Sequence, residues 1–144
     1  MTIGSIMTTS VVTVQMDDSL STIREIFDNL KFHHLLVVNN RKLFGVISDR
    51  DVLKALSPFI GTPSERPCDL ATLSKRAHQI LSRRPITVDR ETGIEEAAHT
   101  LLEKNVSCLP VISPQGDIEG IVTWKDIFRA YLHNPAIDQR NDQA

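Results

Sequence analysis

One block of this sequence is written twice. Gly45-Val46-Ile47-Ser48-Asp49-Arg50-Asp51-Val52-Leu53 lies opposite Gly120-Ile121-Val122-Thr123-Trp124-Lys125-Asp126-Ile127-Phe128, at an offset of 75 residues. Upstream, Leu35–Val38 lies opposite Leu109–Ile112, and Val12-Thr13-Val14 opposite Ile86-Thr87-Val88, both at an offset of 74. The drift of one falls in a turn, where Asn39–Lys42 faces the longer Ser113–Asp117. Three blocks in the same order mark a duplication, so the chain folds as two copies of one supersecondary unit. A half of roughly 60 residues buries a marginal fraction of its surface, and two copies packed face to face remove that difficulty with pseudo-twofold symmetry.

Each copy reads as strand, helix, hairpin, helix. Val12–Val14 and Ile86–Val88 are short β-prone runs. Apolar residues then recur at helical spacing, at Leu20, Ile23, Phe27 and Leu30 in one copy and at Ile94, Ala97 and Leu101 in the other. Thr92-Gly93-Ile94-Glu95 has the form of a capping box and predicts a helix starting at Thr92. Leu35–Val38 with Leu43–Ile47, and Leu109–Ile112 with Ile118–Val122, read as hairpins. The closing helices carry Val52, Leu53 and Leu56, or Ile127, Phe128, Tyr131 and Leu132. The fold class is α/β (α+β), with sheets covered by helices. The expected organisation is a first repeat over 1–57, a linker over 58–79, a second repeat over 80–134 and a flexible tail over 135–144. Leu70, Leu73, Ala77 and Leu81 predict one helix from Asp69 to Leu81 leading into the second repeat.

Composition excludes several functions. In 144 residues, 16 Lys and Arg stand against 18 Asp and Glu, for a net charge of −2. A dedicated nucleic-acid binder carries a basic surplus. No apolar run approaches the roughly 18–20 residues of a membrane span, and the N-terminus does not read as a signal peptide. Cys68 and Cys108 form no CxxC pair, which points to free thiols in a reducing cytoplasm. The five histidines and two cysteines lack CxxC or HExxH spacing, so no metal site is expected. No GxxxxGK[ST] loop is present, and Cys108 lacks an evident base to activate it as a nucleophile.

The chemistry lies in Ser48-x-x-Asp51 and Thr123-x-x-Asp126, each at a junction from strand into helix. A hydroxyl followed three residues later by an acid is a helix N-terminal cap. Both copies use Asp, although Glu or Gln best completes the box. A carboxylate held at a helix mouth can accept two hydrogen bonds from a vicinal diol, as acids do for ribose. The N–H groups of the same helix favour an anion such as phosphate. One turn can therefore cap a helix and hold a ribose phosphate.

At these residues the chain resembles a tandem pair of CBS domains, a Bateman module, over roughly residues 5–133. The resemblance rests on Ile6-Met7-Thr8 before the first strand, Leu109-Pro110-Val111, and Gly-h-x-Ser/Thr-x-x-Asp occurring twice in order. It departs where Leu36 replaces the proline that the second copy has at Pro110. The resemblance implies two β-α-β-β-α repeats in a stand-alone regulatory module without catalysis of its own. It implies adenosyl ligands (AMP, ADP, ATP or S-adenosylmethionine) in clefts between the repeats, with no obligatory cofactor. It also implies a cytoplasmic homodimer that signals to an effector protein and contacts neither nucleic acid nor membrane. Residue by residue, Asp51 and Asp126 match ribose-binding positions and Ser48 and Thr123 positions near ribose or phosphate. Thr13 and Thr87 lie on strands whose backbone meets adenine, and His33, His34, Ser107 and Cys108 match cleft-lining positions. Arg50, Lys125, Arg83 and Arg84 fall near strand ends, where each suits either a phosphate or solvent. Trp124 suits a base or a protein contact. The Ser/Thr difference between the motifs points to unequal clefts. The reading from another class is a ligand-free dimerisation scaffold, favoured by the paired apolar residues of the last helix.

Overall fold

The computed structural model describes residues 1–133. It contains six helices, α1 (Leu20–Asn29), α2 (Asp49–Ala55), α3 (Pro67–Ala71), α4 (Ala77–Ile80), α5 (Ile94–Lys104) and α6 (Trp124–His133). Six strands accompany them, β1 (Thr13–Gln15), β2 (His34–Asn39), β3 (Lys42–Ser48), β4 (Ser82–Arg83), β5 (Cys108–Ile112) and β6 (Ile118–Thr123). The expected tail lies outside the described residues.

The chain forms two compact units. One comprises Val12–Pro85; the other joins Met1–Val11 to the described residues from Ile86 to His133. The units therefore do not follow the sequence repeats. Each takes in the segment that precedes the opposite repeat.

In the Val12–Pro85 unit the sheet order is β1-β2-β3-β4, with β1 parallel to β2 and the other neighbours antiparallel. The run from Leu35 to Val38 is buried throughout, which is why it reads as continuously apolar rather than alternating. Asn40 and Arg41 both have positive φ, at 50° and 65°, giving a two-residue hairpin turn whose twist suits the flanking strands. Ser19 caps α1, its hydroxyl accepting from the Thr22 N–H at 3.2 Å. Leu20 and Ile23 on α1 join Val14, Leu35, Val37, Ile47, Val52 and Ala77 in one core. Each such aliphatic side chain contributes about 1.5–3 kcal/mol by burial. Leu30 falls just past the helix and is 42% exposed, so it does not continue the predicted apolar face.

The other unit repeats this plan with thinner flanks. β5 and β6 pair antiparallel, a single parallel bridge at Val88–Val111 replaces a first strand, and an antiparallel bridge at Thr8–Ile121 replaces a fourth. Ile86–Val88 thus supplies one bridge rather than the predicted strand. Ile3, Ile94, Ala97, Leu101, Leu109, Val111, Val122 and Ile127 form its core. The matching glycines Gly45 and Gly120 are fixed by close approach of the edge segments. A Cβ on Gly45 would stand 2.8 Å from the Ser82 carbonyl oxygen, and one on Gly120 2.8 Å from that of Thr8.

Two helix predictions require correction. α5 begins at Ile94 with Gly93 as its cap, because the Thr92 hydroxyl donates to Asp89 Oδ1 at 3.3 Å instead of capping the helix. The single helix expected over Asp69–Leu81 is instead α3, a 3-10 turn at Thr72–Ser74, an extended link at Lys75 and Arg76, and α4. The Leu20 N–H donates to the Lys75 carbonyl at 2.7 Å and the Ala77 N–H to that of Asp18 at 2.9 Å. These pairings require extended backbone where helical spacing alone would continue the coil.

Candidate functional site

Both duplicated motifs sit at strand-to-helix junctions. Ser48 ends β3 and caps α2; its N–H donates to Asp51 Oδ2 at 2.8 Å, while the Asp51 N–H donates to Ser48 Oγ at 3.1 Å. The box is complete with Asp in place of Glu, and it fixes the carboxylate at the helix mouth. Asp51 is half-buried and lines a cleft of about 380 Å³ together with Lys54, Ala55, Lys75, Gln79 and Ile80. This cleft lies wholly within the Val12–Pro85 unit. Its floor is α2, and its far side is the segment running into α4.

The second motif is built differently. The Thr123 N–H donates to Asp126 Oδ2 at 3.0 Å, and the Thr123 hydroxyl donates to the same oxygen at 3.3 Å rather than capping a backbone N–H. Asp126 Oδ1 accepts from the Thr8 hydroxyl at 3.1 Å and stands 3.6 Å from Arg129 Nη1. The Asp126 side chain is only 5% exposed. One aspartate therefore faces a cleft, and its counterpart is enclosed by partners from its own unit. The Ser/Thr difference pointed to unequal sites, and the partners of the two carboxylates do differ, with Thr8, far away in sequence, among those of Asp126.

His34 pairs across the hairpin with Ser48, and Cys108 with Thr123, so each of these two residues stands beside the motif of its own repeat. Burial holds His34 below its usual imidazole pKa, with the neighbouring Asp49 acting weakly the other way. His33 is exposed and its Nδ1 is 2.9 Å from Asp49 Oδ2, a bond that lowers the Asp49 carboxyl. Cys108 is buried, and burial pushes its thiol up to about 12, so it stays protonated and is no nucleophile at neutral pH. Thr13 is exposed on β1, opposite Leu36; Thr87 and Ser107 are half-buried. Arg50, Arg83, Arg84 and Lys125 are exposed, and none of them lines the Asp51 cleft. Trp124 stacks on Phe128, with ring centroids 5.9 Å apart, which occupies one face of the indole.

Lys54 and Lys75 were missed. Lys54 had a signal, since it follows Asp51 by three residues on one helix and so shares its face. Lys75 had none, because only the folding-back of the segment ahead of α4 brings it there.

The sequence profile of the CBS domain matches residues 3–58 and again 77–133. The chain belongs to the CBS domain family. A CBS domain-containing protein of Dictyostelium discoideum is 31% identical over 128 residues, covering 88% of each chain. CBSX2, a CBS-pair protein of Arabidopsis thaliana crystallised with AMP, is 29% identical with a TM-score of 0.75, covering 91% of this chain and 96% of that one. A CBS domain pair solved with 5′-methylthioadenosine and S-adenosyl-L-methionine is 25% identical with a TM-score of 0.75, covering 91% of this chain and 95% of that one. Other relatives include longer enzymes matched over a fraction of their length. This chain spans 23% of an inosine-5′-monophosphate dehydrogenase of Korarchaeum cryptofilum. The two-repeat α/β fold expected from the sequence is the fold observed.

Proposed function

We propose that this CBS pair is a regulatory sensor of adenosine-containing nucleotides. The observation that carries the reading is the Asp51 carboxylate, locked by its capping box at the N-terminus of α2 and facing a cleft. Fixed there, it can accept both hydroxyls of a ribose. CBS pairs of similar fold crystallised with AMP, or with 5′-methylthioadenosine and S-adenosyl-L-methionine, support this ligand class.

Asp126 is the counterpart ribose residue of the second repeat, and a diol there exchanges for the Thr8 hydroxyl and the Arg129 contact. Ser48 and Thr123 lie near ribose or phosphate, Thr13 and Thr87 offer backbone to adenine, and His33, His34, Ser107 and Cys108 form the surroundings. The ligand acts by population shift and is no substrate: it favours one arrangement of the protein by its difference in affinity for two. The readout passes to an effector protein in the cytoplasm. No helix among the described residues is long and apolar enough to cross a membrane.

Isothermal titration with AMP, ADP, ATP and S-adenosylmethionine tests the reading. Saturable binding of at least one at micromolar to millimolar concentration is expected, and no heat and no thermal stabilisation with any of them sinks it.

A second reading is favoured by α6. Ile127 is buried, but Phe128 is 60% and Leu132 82% exposed, a stripe one turn apart on the outer face. We assign this stripe to a homodimer interface, which serves a sensor and a ligand-free scaffold alike. Light scattering is expected to give twice 16.1 kDa, and a monomer at micromolar concentration is the contrary result.

A further inference from the structure

The cleft beside Asp51 carries two ammonium groups that the duplicated motif does not require. Lys54 lies three residues beyond Asp51 on α2, and Lys75 enters from the link ahead of α4; both line the same space. Lys75 Nζ donates to the Ala55 carbonyl at 2.9 Å, which pins one ammonium to the cleft wall and leaves its other protons available. Two cations against one carboxylate leave the cleft with a formal positive surplus, in a chain whose net charge is −2. The second repeat arranges its matching cation differently. There, at an offset of 75, Arg129 occupies the position of Lys54 and is already set against Asp126 at 3.6 Å.

Resting on the sensor reading, we infer that the Asp51 cleft selects nucleoside polyphosphates over adenosyl thioethers and sulfonium compounds. Asp51 takes the ribose diol and Lys54 and Lys75 take the phosphate chain. A sulfonium brings a positive charge toward two lysines, and a thioether brings no charge to satisfy them. A phosphate chain gains one charge-assisted contact per ammonium. Lysine is suited to this, as a point charge on a flexible stem that can follow a di- or triphosphate. Ile80 and Ala55 give the same cleft an apolar side for the base.

The test titrates the full chain with ATP, ADP, AMP, S-adenosylmethionine, methylthioadenosine and inorganic tripolyphosphate, at low and at physiological salt. The expected order is ATP, ADP, AMP, then the sulfur compounds, with ATP affinity falling as salt rises. Lys54→Gln with Lys75→Gln is expected to weaken ATP about tenfold or more and AMP less, the lost Lys75–Ala55 bond lowering the melting temperature only slightly. Lys54→Gln alone, which leaves the Lys75–Ala55 bond in place, is expected to show part of the same loss. Equal or tighter binding of S-adenosylmethionine overturns the inference while leaving the sensor reading intact. So does an ATP affinity unmoved by the double variant. Tripolyphosphate binding as tightly as ATP overturns it too, because the cleft is then a general anion site. No binding of any adenosyl compound removes the inference and the sensor reading together.

Discussion

Asp51 and Asp126 are the same residue in the same motif, yet their surroundings give them different duties. Asp51 completes the capping box that Ser48 opens and faces a cleft; Asp126 is enclosed by Thr123, Thr8 and Arg129. Asp51→Ala is expected to raise the dissociation constant for the preferred nucleotide by about 1.5–3 kcal/mol, the worth of a charged hydrogen bond. Its cost to folding is the hydrogen bond that the Ser48 N–H loses, about 0.5–1.5 kcal/mol. Asp126→Ala weakens binding too, but it also leaves the Thr8 hydroxyl and the Thr123 N–H without their acceptor, and the denaturant midpoint should fall further than for Asp51→Ala. Measuring affinity and midpoint in both variants separates the two duties; equal affinities for wild type and both variants would remove the ribose assignment. His34 offers a pH test. Its folded-state pKa lies below its usual value of about 6.5, so the unfolded chain takes up the proton first. Stability is therefore complete above about pH 6.5 and declines as pH falls from there toward the folded value. Asp49 is also lowered, but its loss begins only in the carboxylate range, well below that window. His34→Gln is expected to flatten the decline between pH 7.5 and 5.5 in urea melts, and an unaltered slope would place its source elsewhere. The motif residues were legible because duplication picked them out; the enclosure of Asp126 was not, because its partner Thr8 stands 118 residues away in sequence.

At the scale of elements, the segment between the repeats shows how tertiary pairing overrides local spacing. Leu70, Leu73, Ala77 and Leu81 fit a helical face, yet only Ala77 is fully buried, and Leu70 is 46% exposed. The backbone pairs with Asp18–Leu20 instead, which no periodicity in the segment announces. The hairpins and α1, α2 and α6 were readable, because their apolar patterns are long or flanked by turn residues. Asp69 went unrecognised as an anchor. It is buried, accepts from the Ser57 hydroxyl at 2.6 Å and from the Arg66 N–H at 2.7 Å, and so ties the end of the first repeat to α3. Asp69→Ala is expected to cost about 1–3 kcal/mol, since two donors lose a buried acceptor. A change under half a kilocalorie in chemical denaturation would show that water replaces the carboxylate without loss.

Across the whole molecule, the exchange of leading segments decides what holds each unit together. Ile3 is fully buried in the core of the second-repeat unit, and Thr8 gives and receives backbone hydrogen bonds with Ile121, both at 2.9 Å. Ala77 and Ser82 occupy the same places, 74 residues on, in the other unit. Deleting residues 1–8 is expected to speed amide hydrogen exchange in β5, β6 and α5 while sparing β2 and β3. Uniform acceleration through both units, or none, would contradict this division. The repeat itself was plain from sequence, but the exchange was not, since a segment's offset does not say which copy it packs against.

That exchange also sets a timetable for synthesis. Met1–Val11 leaves the ribosome well before the strand it must flank, which ends at Thr123. The unit of Val12–Pro85 can close as soon as its own stretch has cleared the exit tunnel. Throughout that interval Ile3, Ile6 and Met7 travel without their destination, and the nascent protein carries an uncovered apolar segment that chaperones can engage until β6 has emerged.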